Sequence, residues 1–258
     1  MSAPWIATAG ARPAGDVALL CVPYAGGSAA MFRDWAAHLP ERVAVWPVEL
    51  PGHGARLAEP PAGSVAELTG AMADALLPLL DRPFAVFGHS LGGLVAFELA
   101  RELRRRGGPE PARLFLSASR PPHLDVGGPL LRAAAEDGFA DAVTALGGVP
   151  EAVAADPEML RFGLEVLRAD VALLDTYAYA DEPPLGCPIS LFGAASDRLV
   201  ELDVIEEWAE HTAAGVSLRV VPGDHFFVTG HERHALLRAL GEELHDLAAQ
   251  AATAGSHA

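Results

Sequence analysis

Three side chains that could do nucleophilic chemistry stand in the order Ser90, Asp197, His225. A serine hydroxyl is a poor nucleophile at neutral pH; it needs a base to take its proton and a third group to fix that base. Ser90 is the centre of Gly88-His89-Ser90-Leu91-Gly92, a G-x-S-x-G match. Such a motif holds its serine on a strained strand-to-helix turn, with room made by the glycines and a helix N-terminus behind the hydroxyl. Five residues of this kind arise readily by chance in a glycine-rich chain. The context gives them weight: Phe84–Phe87 reads as a buried strand and Leu91–Leu103 as a helix.

The elements that must position the other members follow the same logic. Val17–Val22, Val43–Val48, Arg113–Ser117, Pro188–Phe192 and Val216–Val221 read as strands, mostly apolar as expected where both faces are covered. Helical patterns lie between them, at about Ala29–Leu39, from Ser64 to Leu79 behind a capping box, at about Glu201–His211, and in a last helix with Leu236, Leu237, Leu240, Leu244 and Leu247 on one face. Alternating strand and helix means a parallel sheet with helices on both faces. Asp197 then follows one late strand and His225 the last, so all three residues lie beyond strand C-terminal ends, on one edge of the sheet. The expected oxyanion donors are the N–H of Leu91 and that of Ala25, in the glycine turn Pro23-Tyr24-Ala25-Gly26-Gly27-Ser28 after the first strand. From about residue 128 to 181 no strand is expected, only helices, which reads as a cap inserted over the site; longer crossover helices are the plainer alternative.

Other candidates rank lower. Asp203 falls within a helix, and Asp224 adjoins His225 and should point elsewhere. His211, His231 and His234 sit in or beside helices and are expected to be solvated; His89 should face away from Ser90; His53, in a polar loop, is expected to be solvated as well and is given little catalytic weight. Arg101, Arg104, Arg105 and Arg106 close a helix, where cations favour the negative end. A solvated terminus is the plain reading, and a docking patch for an acidic partner the sharper one.

The bulk numbers bound the function. The 258 residues suit a single α/β domain, and 51% apolar composition supports a sizeable core. A net charge of −16 argues against nucleic acid and against anionic membranes. All 18 basic residues are Arg, and there is neither Lys nor Asn, so a Schiff-base lysine and a Cys-His-Asn triad are both excluded. Cys21 and Cys187 are expected to be buried free thiols in a reducing compartment, with no metal spacing. No signal or membrane-spanning pattern is visible, so a soluble cytoplasmic protein is expected.

The chain resembles the type II, stand-alone editing thioesterases of polyketide and nonribosomal peptide synthetases, within the α/β-hydrolase superfamily, from Val22 to about Phe227. The marks are the Pro23–Ser28 turn, Leu50-Pro51-Gly52, Gly88–Gly93, Gly147-Gly148-Val149-Pro150, Arg168-Ala169-Asp170 with Tyr177, Asp197, and Gly223-Asp224-His225-Phe226-Phe227. Tyr24 and His53 depart from it, standing where His and Arg are more usual. The resemblance implies an α/β-hydrolase fold and hydrolysis of wrong or stalled acyl groups from the phosphopantetheine arm of carrier proteins. Ser90 would be nucleophile, His225 base and Asp197 orienter. No cofactor or metal is implied beyond the arm that the substrate carries. Acidic carrier domains offer an acidic enzyme no long-range attraction, so a weak, transient encounter with a monomer is expected. The Met1 start fits a free-standing protein better than a domain cut from a synthase. A general esterase or acyltransferase of the same fold, and a non-catalytic binding protein, are the competing readings.

Overall fold

The computed structural model describes residues 5–8, 13–127, 139–145, 147, 149 and 151–255. Among them, β1 (Val17–Val22), β2 (Val43–Pro47), β3 (Phe84–His89), β4 (Arg113–Ser117), β5 (Ile189–Ala194) and β6 (Val216–Val221) form one sheet, ordered β2-β1-β3-β4-β5-β6. Every neighbouring pair is parallel, so all six carboxyl ends open on one edge. Each strand falls within two residues of its expected bounds. The interior strands β1 and β3 are wholly buried. Their side chains alternate between two cores. Leu20, Val22 and Val86 point into one, with α1 (Val65–Leu76) and α2 (Leu91–Arg105); Leu19, Cys21 and Phe87 point into the other, with the leucines of the last helix, Arg233–Gly255.

Two expected helices are broken into shorter turns. Instead of one helix over 29–39, 3₁₀ turns form at Ala29–Phe32 and Trp35–Ala37. Phe32, at the end of the first turn, and Trp35, at the start of the second, both meet Phe87 edge-on. The same happens late in the chain, where a short helix at Leu202–Glu206 passes into a 3₁₀ turn at Glu207–His211 that buries Trp208 and His211 together.

Between β4 and β5 the described residues form α3 (Phe139–Ala145), α4 (Glu151–Ala154) and α5 (Pro157–Asp175), with no strand. Residues 128–138, with Gly148 and Pro150 of the Gly-Gly-Val-Pro segment, lie outside the described residues. Helix α5 begins where its sequence says it should: the Asp156 carboxylate accepts from the N–H groups of Glu158 and Met159, and Pro157 occupies the first turn. Leu167 packs over Gly26, so the helix lies on the carboxyl edge of the sheet. The helices after Glu201 and Gly230 are the short α6 (Leu202–Glu206) and the long α7 (Arg233–Gly255).

The helix end divides: Arg105 and Arg106 are exposed, as a solvated terminus would be, while Arg101 is buried, and all four arginines are engaged by groups of the chain itself. Arg101 is 2% exposed, donates to Glu98 at 2.7 Å and to the Ala180 carbonyl, and pairs with Glu182 at 3.0 Å. Arg104 donates to the carbonyls of Pro183 and Pro184 at 2.8 and 3.0 Å and to Glu182 at 2.9 Å. Arg105 bridges Glu102 and Glu182, and Arg106 bridges Glu102 and Asp74. The Tyr177 hydroxyl adds a bond to Glu98 at 2.8 Å. Burial alone would raise the Glu182 carboxyl, but hydrogen bonds from Arg104, Arg105 and Arg101 hold it down at about 2. The cluster fastens the segment after α5 to the side of α2. Hydropathy could not see this, because the acidic partner lies some eighty residues away.

Candidate active site

At the end of β3 the backbone turns sharply into α2, and Ser90 takes φ 54°, ψ −118°. A side chain at that φ is strained, which the surrounding structure must hold in place. Its N–H donates to the Ser117 carbonyl at 2.8 Å, anchoring the turn to β4. The flanking glycines are needed for space: a Cβ on Gly88 would stand 2.0 Å from the Gly92 carbonyl oxygen, and one on Gly92 would stand 2.4 and 2.5 Å from the carbonyl oxygens of Val22 and Pro23. The first turn of α2 is thereby pressed against the end of β1.

Ser90 opens on a narrow cavity of about 20 Å³ that His225 also lines, with Leu94, Ala118, Leu174 and Val200 among its walls. Asp197 lies behind. Its side chain is fully buried, and each oxygen has a task. Oδ1 accepts from the N–H groups of Leu199 and Val200 at 2.8 and 3.0 Å, and Oδ2 faces His225 Nδ1 at 2.8 Å. An ionised Asp197 requires the proton on Nδ1, so Nε2 carries the lone pair. Ser90 and His225 share the cavity without a hydrogen bond between them, a spacing that catalytic pairs often tighten only on binding substrate.

The two expected oxyanion donors are on neighbouring loops. Leu91 is the first residue of α2, where an N–H has no acceptor within the helix. The β1–β3 register pairs Val22 with Gly88, so the Ala25 turn and the Ser90 turn leave the sheet side by side. A second, apolar chamber of about 180 Å³ also borders the Ala25 turn, walled by Tyr24, Gly26, Val153, Leu160, Leu164 and Leu167 among others. Tyr24 is half-buried and meets His89 and Phe226 edge-on.

The lower-ranked candidates divide. Asp203 and Asp224 are spent on nearby backbone N–H groups, those of Val204 and Phe226. His89 makes no bond to Ser90, as expected, yet it serves the site from behind. It is fully buried, and burial first, then the nearby His225, pulls its pKa well below the usual value, so the ring is neutral. Its Nε2–H donates to the His225 carbonyl at 2.9 Å, and its Nδ1 accepts from the Ser117 hydroxyl at 2.9 Å.

Two expectations fail. His211 is not solvated: it is 5% exposed, its Nε2 is 2.7 Å from His123 Nδ1, and burial with the neighbouring His123 and Arg101 pulls its pKa down to about 4. His53 is also buried, at 3% exposed. Its Nε2 faces Asp170 Oδ2 at 2.9 Å and its Nδ1 faces the Pro51 carbonyl at 3.0 Å. Asp170, on α5, also accepts from the Gly26 N–H at 2.6 Å. Sequence reasoning missed this trio. A signal was present, since Asp170 sits among the buried positions Val171, Leu173 and Leu174 of an otherwise amphipathic helix, where a carboxylate needs a partner.

Among the described residues no three His, Cys, Asp or Glu side chains group as a metal site, and no helix is long and apolar enough to cross a membrane. Both cysteines are free and buried. Burial drives the Cys21 thiol well above its usual pKa and, with Glu110 nearby, the Cys187 thiol up to about 12.

A model of the thioesterase domain family matches residues 17–244. The gramicidin S biosynthesis protein GrsT of Aneurinibacillus migulanus is 35% identical over 224 residues, covering 87% of this chain and 88% of the relative. Among solved structures, RedJ, a thioesterase from the prodiginine biosynthetic pathway in Streptomyces coelicolor, superposes with a TM-score of 0.82 at 40% identity, covering 92% of this chain and 90% of the other. BorB, the type II thioesterase from the borrelidin biosynthetic cluster, gives 0.82 at 33% identity, covering 95% and 99%.

Proposed function

Since the chain belongs to the thioesterase domain family, we propose that it is a type II editing thioesterase of a polyketide or nonribosomal peptide pathway. It hydrolyses acyl thioesters on the phosphopantetheine arm of carrier proteins and so frees arms blocked by aberrant or stalled acyl groups. Ser90 is the nucleophile, His225 the base and Asp197 the residue that holds His225. The single observation that carries the assignment is the Asp197–His225 hydrogen bond, 2.8 Å long, behind a cavity that Ser90 and His225 share.

The chemistry follows from that geometry. Ser90 Oγ attacks the thioester carbonyl while His225 Nε2 takes its proton, and the carbonyl oxygen becomes an oxyanion facing the N–H groups of Leu91 and Ala25. Asp197 stabilises the imidazolium. The tetrahedral centre collapses, the C–S bond breaks, and His225 returns the proton to the departing thiol. Water attacks the acyl-serine next, giving its proton to His225, and the free acid leaves as Ser90 is reprotonated. No cofactor of the enzyme's own is required, because the substrate carries the arm. The helices between β4 and β5 serve as a cap within a single domain, with α5 across the mouth of the site.

The partners in this reading are acyl- or peptidyl-carrier domains, met transiently by a monomer. A net charge of −16 gives no steering toward an acidic carrier, which suits an editor that must not compete with normal synthesis. Two free buried thiols suit the reducing cytoplasm.

Acetyl-, propionyl- and longer acyl-carrier proteins, offered to wild type and to Ser90→Ala, test the assignment. Wild type should release the acid and Ser90→Ala should not. A wild type that leaves every acyl-carrier intact while cleaving simple esters would place the protein among general esterases. Full activity in Ser90→Ala would remove the serine mechanism altogether.

A further inference from the structure

The oxyanion loop is held from the cap side by one buried side chain. Asp170 Oδ2 accepts from the Gly26 N–H at 2.6 Å, the residue next to Ala25, and also faces His53 Nε2 at 2.9 Å. Both side chains are 3% exposed. The contact joins three segments distant in sequence: the turn after β1, the Leu50–His53 loop after β2, and helix α5.

The ring of His53 lies between two acceptors. Nδ1 faces the Pro51 carbonyl and Nε2 faces the Asp170 carboxylate. A neutral imidazole has one N–H and can satisfy only one of them; the imidazolium satisfies both. Other charges near the ring agree. Glu49, from the end of β2, accepts from the Ala29 N–H at 3.0 Å and adds a second negative charge near the ring. The nearby cations are engaged elsewhere: Arg56 donates to the Glu49 carbonyl and to Glu59, and Arg168 on α5 stacks over Phe139. Burial alone would lower the His53 pKa, but Asp170, the Pro51 carbonyl and Glu49 outweigh it and raise it.

We propose that His53 and Asp170 are positioning residues for the oxyanion hole: as a buried imidazolium–carboxylate pair they fix the Gly26 N–H, and through it the placement of the Ala25 N–H. The inference rests on the assignment of Ala25 as an oxyanion donor. It gives the enzyme an alkaline limb that the triad does not supply. A Ser-His-Asp site alone becomes more active as its histidine loses a proton and then levels off. Loss of the His53 proton at higher pH removes one of its two hydrogen bonds and the charge that holds Asp170, so the loop loosens and the rate falls.

The test uses a probe that needs the hole but not the natural substrate. An aryl phosphonofluoridate is attacked by Ser90: the O–P bond forms, fluoride leaves, the proton goes to His225, and the P=O oxygen occupies the hole. The second-order rate of serine modification, followed by intact-protein mass, is measured from pH 6 to pH 10 for wild type, Asp170→Asn and His53→Gln, with kcat and KM for acyl-carrier hydrolysis alongside. Near neutral pH both variants should be about ten- to a hundred-fold slower in modification and in kcat, with KM changed less than three-fold; one lost oxyanion donor costs about 10²–10³, and these residues act on it at one remove. The wild-type rate should fall toward that of His53→Gln at high pH, so that their ratio shrinks toward one. A ratio that stays constant across the range, or an Asp170→Asn enzyme as fast as wild type, overturns the proposal. Should one variant fail to fold by circular dichroism, the other and the wild-type pH profile still decide it. A wild type with no alkaline fall refutes the charged pair outright. Failure on acyl-carriers with normal phosphonylation would instead count against the substrate assignment and leave this inference standing.

Discussion

Asp197→Asn puts the triad geometry to a demanding test. In the wild type, Oδ1 accepts two backbone N–H bonds, from Leu199 and Val200, and Oδ2 accepts from His225 Nδ1. An asparagine can place its oxygen on only one side. Turning the oxygen toward His225 would forfeit both backbone bonds, each worth about 1 kcal/mol, and would set the NH₂ against two N–H donors in a fully buried site. The other orientation keeps both bonds and presents NH₂ to His225. The ring must then accept at Nδ1 and move its proton to Nε2, the atom that should take the proton from Ser90. Converting a triad carboxylate to its amide in this way costs about 10⁴ in kcat, or about 5 kcal/mol of barrier. KM and thermal midpoint should change little, since packing and both backbone bonds survive. Thiol release from an acyl-thioester reads the rate, and ¹⁵N chemical shifts of the imidazole read the tautomer. A variant retaining more than a tenth of wild-type kcat, or one whose His225 keeps its proton on Nδ1, would refute the assignment of Asp197.

Three further outcomes are expected. Gly92→Ala brings a Cβ to 2.4 Å from the Val22 carbonyl oxygen, a backbone atom that cannot step aside, so overpacking should cost about 1–3 kcal/mol in urea denaturation and reduce activity by displacing the β1 turn. His211 is pulled from 6.5 to about 4 on folding, so the unfolded chain binds the extra proton between those values; its contribution is intact above pH 6.5 and is lost as pH falls toward 4, by about 1–3 kcal/mol. His211→Gln should flatten the stability–pH slope in that window, and an unchanged slope would contradict the burial argument. Cys21 and Cys187, buried with raised pKa values, should resist a thiol reagent at pH 8 in the native state and react together on unfolding; fast labelling of either in the folded protein would show that its covering opens.

The sheet was legible because its code is local. Apolar runs such as Val17–Val22 and Phe84–Phe87 are buried on both faces and cannot be mistaken for amphipathic helices. The positions of Ser90, Asp197 and His225 then followed from topology, since parallel strands deliver every following loop to one edge. Misreadings gathered where a polar residue meets a partner far along the chain. His53 looked like a solvated loop histidine because Asp170 lies 117 residues away. Arg101 looked like a helix-end cation because Glu182 and the Ala180 carbonyl are equally remote. The 3₁₀ turns at Ala29–Phe32 and Trp35–Ala37 escaped because a spacing of three fits both kinds of helix over one turn.

The fastening of the segment after α5 has a mechanical consequence. Tyr177, Ala180, Glu182, Pro183 and Pro184 are all bonded to α2, so the C-terminal end of α5 is a fixed pivot and the helix is a lever. At about 1.5 Å per residue, Asp170 lies about 9 Å from Thr176 and Pro157 about 29 Å. A tilt of about 10° would lift the Pro157 end by about 5 Å but shift Asp170 by only about 1.6 Å, which is still enough to part its bond to the Gly26 N–H. The short arm carries Asp170 against the Gly26 turn, and the long arm overlies the apolar chamber. Widening that chamber by such a tilt would therefore part Asp170 from the Gly26 turn, and only a seated helix would keep both in register.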